Sequence, residues 1–152
     1  MAHRARLATI ACPVGAIGSI TRQSMRLARA SFPEHIDGGV YYCGYACRES
    51  HGARSYLIVR AGGNILVDSP RYAQTLLKRI KALGGVRWMF LTHRDDVAEH
   101  RKFRDLFGCE RILHRDDVTA GTADVERIIE GDAPVALNDQ DRKSTRLNSS
   151  HT

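Results

Sequence analysis

The sequence predicts an α/β fold with a largely parallel sheet, on three observations. Short β-rich runs alternate with stretches of helical periodicity. Glycine steps punctuate that alternation where turns and helix ends are needed. Trp88-Met89-Phe90-Leu91 is apolar throughout, the pattern of a strand covered on both faces.

Residues 1–37 are basic and weakly patterned, and Pro33 followed by Gly38-Gly39 marks a boundary. Val40-Tyr41-Tyr42 and Tyr56-Leu57-Ile58-Val59 are β-rich. The turn Ala61-Gly62-Gly63 leads at once into Ile65-Leu66-Val67, which predicts a hairpin. Tyr72, Leu76, Leu77, Ile80 and Leu83 recur at helical spacing, and Gly84-Gly85 supplies the stop. A second helix is expected from Asp96, whose carboxylate would accept from the free backbone N–H groups, with Glu99 completing a capping box. Its apolar positions are Val97, Phe103, Leu106 and Phe107, and Gly108 ends it. Arg111-Ile112-Leu113 is the next strand, so the order implies right-handed βαβ units. Val125 to Ile129 fits either a strand or a helical turn, and Val135 to Leu137 is expected to be a strand beside it. No internal repeat stands out.

A chain of 152 residues holds one modest domain, and its 43% hydrophobic and 26% charged content is that of a globular protein. No apolar run reaches the roughly 18 residues of a membrane span, and the first thirty residues lack the apolar block of a signal peptide. The net charge of +6 does not imply nucleic-acid binding. Acids and bases are interspersed through the middle of the chain, without a basic stripe carrying stacking aromatics. Cys12, Cys43, Cys47 and Cys109 are too few for a disulfide framework. A reducing, cytoplasmic setting is therefore expected, with an organellar transit peptide as the lesser alternative.

In an open α/β sheet functional groups gather at the carboxyl ends of the strands. Two such ends are polar here, Val67-Asp68-Ser69-Pro70 and Leu91-Thr92-His93-Arg94-Asp95-Asp96. His93, Asp95, Asp96 and, one turn on, His100 offer imidazole and carboxylate ligands, with Asp68 from the neighbouring strand as a further ligand or as an acceptor behind one. The plain alternative is that the Asp pair caps a helix while His93 bonds backbone.

These strand ends resemble the metallo-β-lactamase fold. Asn64-Ile65-Leu66-Val67-Asp68-Ser69 is similar to its first motif, and Phe90-Leu91-Thr92-His93 to the strand entering its T-H-x-H-x-D-H metal motif. Gly39-Val40-Tyr41-Tyr42-Cys43-Gly44-Tyr45 and Val67-Asp68-Ser69-Pro70-Arg71-Tyr72 resemble one subgroup, in which a ferredoxin-like segment precedes the hydrolase domain. The resemblance implies the first half of an αββα sandwich, incomplete here. It also implies a small-molecule substrate and a metal-activated water that hydrolyses an ester, thioester, lactone or phosphodiester in the intact parent. The departures are as informative. Asp95 stands where the motif has its second His, and Val97 and Ala98 stand where it has Asp and His. Asp95 as an oxygen ligand favours iron or manganese over zinc. Further ligands belong to the fold's second half, so this chain alone is expected to be inactive. The alternative is a non-hydrolytic redox or binding module with a degenerate metal site.

Ala11-Cys12-Pro13-Val14-Gly15 resembles the close of a ferredoxin domain, where Cys12 would give the last thiolate to an iron–sulfur cluster. The other possibility is a lone cysteine before a turn. Residues 141–152 resemble the conceptual translation of a sequencing-library adapter, with a natural polar tail as the alternative. The expected organisation is thus a ferredoxin-like remnant at 1–20, a linker at 21–37, the half-domain at 38–140 and an artefactual tail at 141–152.

Overall fold

A computed structural model describes residues 2–18 and 24–138. Gln140 and the tail from Asp141 lie outside the described residues, as do residues 19–23 of the expected remnant and linker. The elements run α1 (Ala2–Ala11), α2 (Arg26–Ala30), β1 (Glu34–Asp37), β2 (Val40–Tyr42), β3 (Tyr56–Ile58), β4 (Ile65–Val67), α3 (Gln74–Ala82), β5 (Trp88–Leu91), α4 (His100–Phe107), β6 (Glu110–His114) and β7 (Arg127–Ile129). A short 3-10 turn at Arg115–Asp117 follows β6.

The seven strands lie side by side in chain order. β1 to β4 pair antiparallel, and β4 to β7 pair parallel. The expected hairpin is β3–β4, and the expected βαβ units are β4–α3–β5 and β5–α4–β6. Gly38-Gly39 is a hairpin turn between paired strands, so the sheet reaches back to Glu34, into the stretch assigned to a linker. Residues 127–129 resolve as a strand. Val135 to Leu137 does not: it lies across the sheet face with Pro134, beside Ile58, Val67, Phe90 and Ile112.

On the other face a core closes between sheet and helices. Leu57, Leu66, Met89, Leu91 and Leu113 meet Leu76, Leu77 and Ile80 of α3 and Phe103 of α4. Side chains alternate along each strand, so the residues between these, Ile58, Ile65, Val67 and Phe90, line the opposite face. α3 ends as its glycines predict, with Gly84 and Gly85 both at positive φ. Its last carbonyls are also held from outside. Buried Asn64, on the β3–β4 hairpin, donates through Nδ2 to the carbonyls of Leu83 (2.8 Å) and Gly85 (2.9 Å).

The helix expected from Asp96 begins four residues later, at His100, and there is no capping box: Glu99 takes a left-handed φ of 66° and caps nothing with its side chain. Competing tertiary bonds explain this. The Ala98 N–H donates to buried Ser50 Oγ (3.1 Å), and buried Ser69 Oγ donates to the Ala98 carbonyl. With Ala98 held through both its N–H and its carbonyl, residues 93–99 form a loop instead of a first helical turn. Among the described residues no helix is long and apolar enough to cross a membrane.

Asn64→Ala leaves the carbonyls that end α3 without their buried donor. It is expected to cost about 1–3 kcal/mol in urea unfolding, with the fold retained by circular dichroism.

Candidate functional site

β4, β5 and β6 are parallel neighbours, so their carboxyl ends open on one rim. At the end of β4, Asp68 is 6% exposed and left-handed (φ 56°), a conformation Asp tolerates better than most residues. Its backbone N–H still reaches the Phe90 carbonyl at 2.9 Å, which ties it to β5. The carboxylate accepts from the Thr92 N–H (2.7 Å) and lies 2.8 and 3.0 Å from the Thr92 hydroxyl. Burial pushes the Asp68 pKa up; the Thr92 bonds and nearby His93 oppose that shift, and Asp96 adds to it. Asp68 therefore holds the step that presents His93, with both of its oxygens facing Thr92.

His93 is half-exposed on the rim. Its Nδ1 accepts from the Asp95 N–H (3.2 Å) and lies 3.5 Å from the Asp95 carboxylate. In the neutral ring this leaves the proton on Nε2, which faces Asp117 at 3.9 Å. Asp117 was not anticipated from the sequence. It follows β6 and also accepts from the Arg94 N–H (3.2 Å), while Arg94 Nη2 donates to the Asp116 carbonyl (2.8 Å).

A sequence signal for Asp117 exists. His93-Arg94-Asp95-Asp96-Val97 is repeated without change as His114-Arg115-Asp116-Asp117-Val118, so the expectation of no internal repeat fails over this short span. The copies follow adjacent parallel strands and take the same turn: the Asp116 N–H meets His114 Nδ1 at 3.3 Å, and that nitrogen lies 3.5 Å from the Asp116 carboxylate.

His100 is not on the rim. It is 5% exposed, and its Nδ1 sits 3.0 Å from Nη1 of Arg111, itself 2% exposed. A guanidinium only donates, so in the neutral ring Nδ1 accepts and Nε2 carries the proton. Arg111 also forks onto Glu126 (3.0 and 2.8 Å) and reaches the Asp124 carbonyl (2.6 Å). Burial, then Arg111 and Arg101, hold the His100 pKa below its usual value. Burial acts upward on Glu126, but its bonds with Arg111 bring it down to about 2. Arg101 first, and Arg111 with it, hold Asp124 well below the usual carboxylate range.

The structure thus gathers Asp68, His93, Asp95, Asp96 and Asp117 at the strand ends, with His100 turned away. These residues do not fit a complete metal centre. Among the described residues no three His, Cys, Asp or Glu side chains converge as ligands would. Asp68 is committed to Thr92, and His93 Nδ1 to a backbone N–H. Cys12 lies elsewhere, in the turn after α1, where backbone N–H groups of Ile17 and Val14 draw its thiol pKa down. Cys43 and Cys109 are packing thiols, pushed up by burial to about 12 and about 11.

No protein-family model matches the chain, and no curated protein matches it. Solved structures do. The class B3 di-zinc metallo-β-lactamase LRA-12 from an Alaskan soil metagenome superposes with a TM-score of 0.52 at 20% identity, over 80% of this chain and 53% of that one. BJP-1, a subclass B3 metallo-β-lactamase of Bradyrhizobium japonicum, gives 0.51 at 17% identity, over 69% and 47%. A B3 metallo-β-lactamase with an active-site glutamic acid gives 0.52 at 17% identity, over 78% and 53%. The chain has part of the metallo-β-lactamase fold and spans about half the length of the structures it matches.

Thr92→Val removes the hydroxyl from Asp68 and leaves it one backbone donor. The expected loss is about 1–3 kcal/mol in urea unfolding. A second expectation concerns pH. The His100 pKa is lower folded than its unfolded value of 6.5, so the unfolded chain takes up the proton first. Stability should therefore fall as pH drops below about 6.5, before the carboxylates protonate. In His100→Asn, which keeps an acceptor for Arg111, melting temperature should lose that slope between about pH 6.5 and pH 5.

Proposed function

We propose that the chain is the amino-terminal half of a metallo-hydrolase-like domain and does not hydrolyse substrate on its own. One observation carries this: the motif's only remaining imidazole at the rim is His93, because His100 is bound into the interior by Arg111. The solved structures sharing the fold support a small-molecule hydrolase as the parent, and the di-zinc description of one of them supports zinc there. His93 would be this chain's ligand to such an ion, with Asp95 or Asp96 beside it. Asp68 would act behind them as a positioning residue through Thr92. Further ligands, and hydrolysis itself, would belong to the parent's other half. Asp95 at an imidazole position would shift metal preference toward iron or manganese. The same proposal makes residues 1–20 the close of a ferredoxin-like segment ending on Cys12, residues 38–140 the half-domain, and residues 141–152 foreign to it.

A second reading is favoured by Ala98. It occupies a ligand position of the motif, and Ser50 and Ser69 hold its N–H and its carbonyl as a structural joint. On that reading the parent is a non-hydrolytic redox or binding module with a degenerate site.

Zinc titration calorimetry and a chromogenic ester assay test the proposal on the full chain. No turnover above background is expected with or without zinc, and any weak zinc binding should vanish in His93→Ala. Turnover that depends on His93 would overturn it. An extended polypeptide carrying a following half separates the two readings: one metal per chain with hydrolysis supports the first, and neither supports the second.

A further inference from the structure

Two long stretches of the sequence contain no acid. Residues 1–33 carry five arginines and residues 69–94 carry six lysines and arginines, whereas the whole chain has a net charge of only +6. The fold brings these stretches together. α2 belongs to the first and α3 to the second, and the two helices pack against each other. Between them lies a cleft of about 650 Å³, lined on one side by Ser24, Arg26 and Arg29 and on the other by Gln74, Lys78 and Arg79.

We infer that this cleft binds a compact, phosphate-bearing small molecule with at least two phosphoryl groups. Its four cations, all exposed, pair with no carboxylate among the described residues. Arg101, Arg104, Arg111 and Arg127, by contrast, each hold an acid. Like charges gathered in one concavity repel, and their combined field attracts a multivalent anion. Arginine forks match phosphate oxygens two at a time, which a chloride or a monovalent carboxylate uses less well.

The cleft is also braced. The Tyr45 hydroxyl donates to the Arg29 carbonyl of α2 (3.2 Å), and the Tyr45 carbonyl accepts from the Arg71 N–H (2.7 Å) just ahead of α3, so one residue ties both walls. α3 starts without a side-chain cap and without an acid in its first turn, which leaves its first backbone N–H groups as further donors beside the walls. No aromatic ring is among the described lining residues, so the surface offers no platform for stacked bases. A small polyanion suits it better than a single-stranded nucleic acid. This site is separate from the strand-end rim and does not depend on the function proposed above.

The test is calorimetric titration of the full chain with pyrophosphate at low ionic strength. The variants are the double substitutions Arg26→Ala with Arg29→Ala, and Lys78→Ala with Arg79→Ala. The control is Arg48→Ala with Arg54→Ala, which removes two exposed cations elsewhere. Saturable binding is expected, weakened at least about tenfold by either cleft pair and unchanged by the control. Thermal melts establish that each variant is folded. The absence of saturable binding, or an equal loss in the control, overturns the inference. A single-stranded oligonucleotide that binds through the same four residues more tightly than pyrophosphate overturns the choice of ligand.

Discussion

Burial of the Arg111 guanidinium constrains much of the parallel half of this molecule. It keeps its proton at any ordinary pH and presents five N–H donors, so each one taken out of water needs an acceptor. Both oxygens of Glu126, the Asp124 carbonyl and His100 Nδ1 meet that demand. The partners come from the loop entering β7 and from the first residue of α4, while Arg111 itself sits on β6. One side chain thus sets how α4 and the residue 119–126 turns lie against the sheet. It also fixes what His100 can do. An imidazole that accepts from a guanidinium must be neutral and must face inward, so the histidine that follows the motif two places late serves the interior and not the rim.

Asp68 makes a smaller link of the same kind. Its carboxylate takes both the amide and the hydroxyl of Thr92, joining the ends of β4 and β5 where the hydrogen-bond ladder between them runs out. The twin His-Arg-Asp-Asp-Val turns extend this arrangement across the next strand. Arg94 of the first turn reaches into the second, onto Asp116 and Asp117. The rim is held by its own polar contacts, and these use up much of the ligand capacity that the residue types suggest.

Sheet order, the hairpin and α3 were legible because each had a strong local cause: apolar alternation, a Gly-Gly stop and a four-residue apolar run. What failed depended on partners distant in sequence. Asp96 and Glu99 have capping-box spacing, but Ser50 and Ser69 hold Ala98 from 48 and 29 residues away. His100 looked like a displaced ligand because nothing local shows that Arg111, eleven residues on, is buried beside it. Val135 to Leu137 has strand composition, yet it pairs with no described strand, not even at the open edge of β7, and lines a sheet face instead. Asp117 is the exception. Its signal was local, a repeated pentapeptide at the ends of consecutive strands, and the absence of longer repeats hid it. The segregation of charge is likewise visible in sequence only as two acid-free stretches; their meeting is a property of the fold.

The two faces of the sheet are closed to different degrees, and the rim is built from the more tightly closed side. The face toward α3 and α4 forms a complete core, with Leu57, Leu66, Met89, Ile80 and Phe103 fully buried. The opposite face is closed by lighter means: Pro134, Val135 and Leu137 lie over its apolar residues, and Arg60 and Arg87 stack on Trp88, with Arg87 at 4.5 Å from the ring. The contacts that place Asp68, His93 and His100 run through the sheet ladder, the strand-end bonds to Thr92, Asp95 and Asp117, and the joints at Ala98 and Arg111. None of these named residues lines the lightly covered face. Adding cover to that face would bury more apolar surface but would not release His100 from Arg111 or Asp68 from Thr92. The sparse ligand set of the rim is therefore intrinsic to these residues, and a complete metal site built on this scaffold would need side chains from outside them.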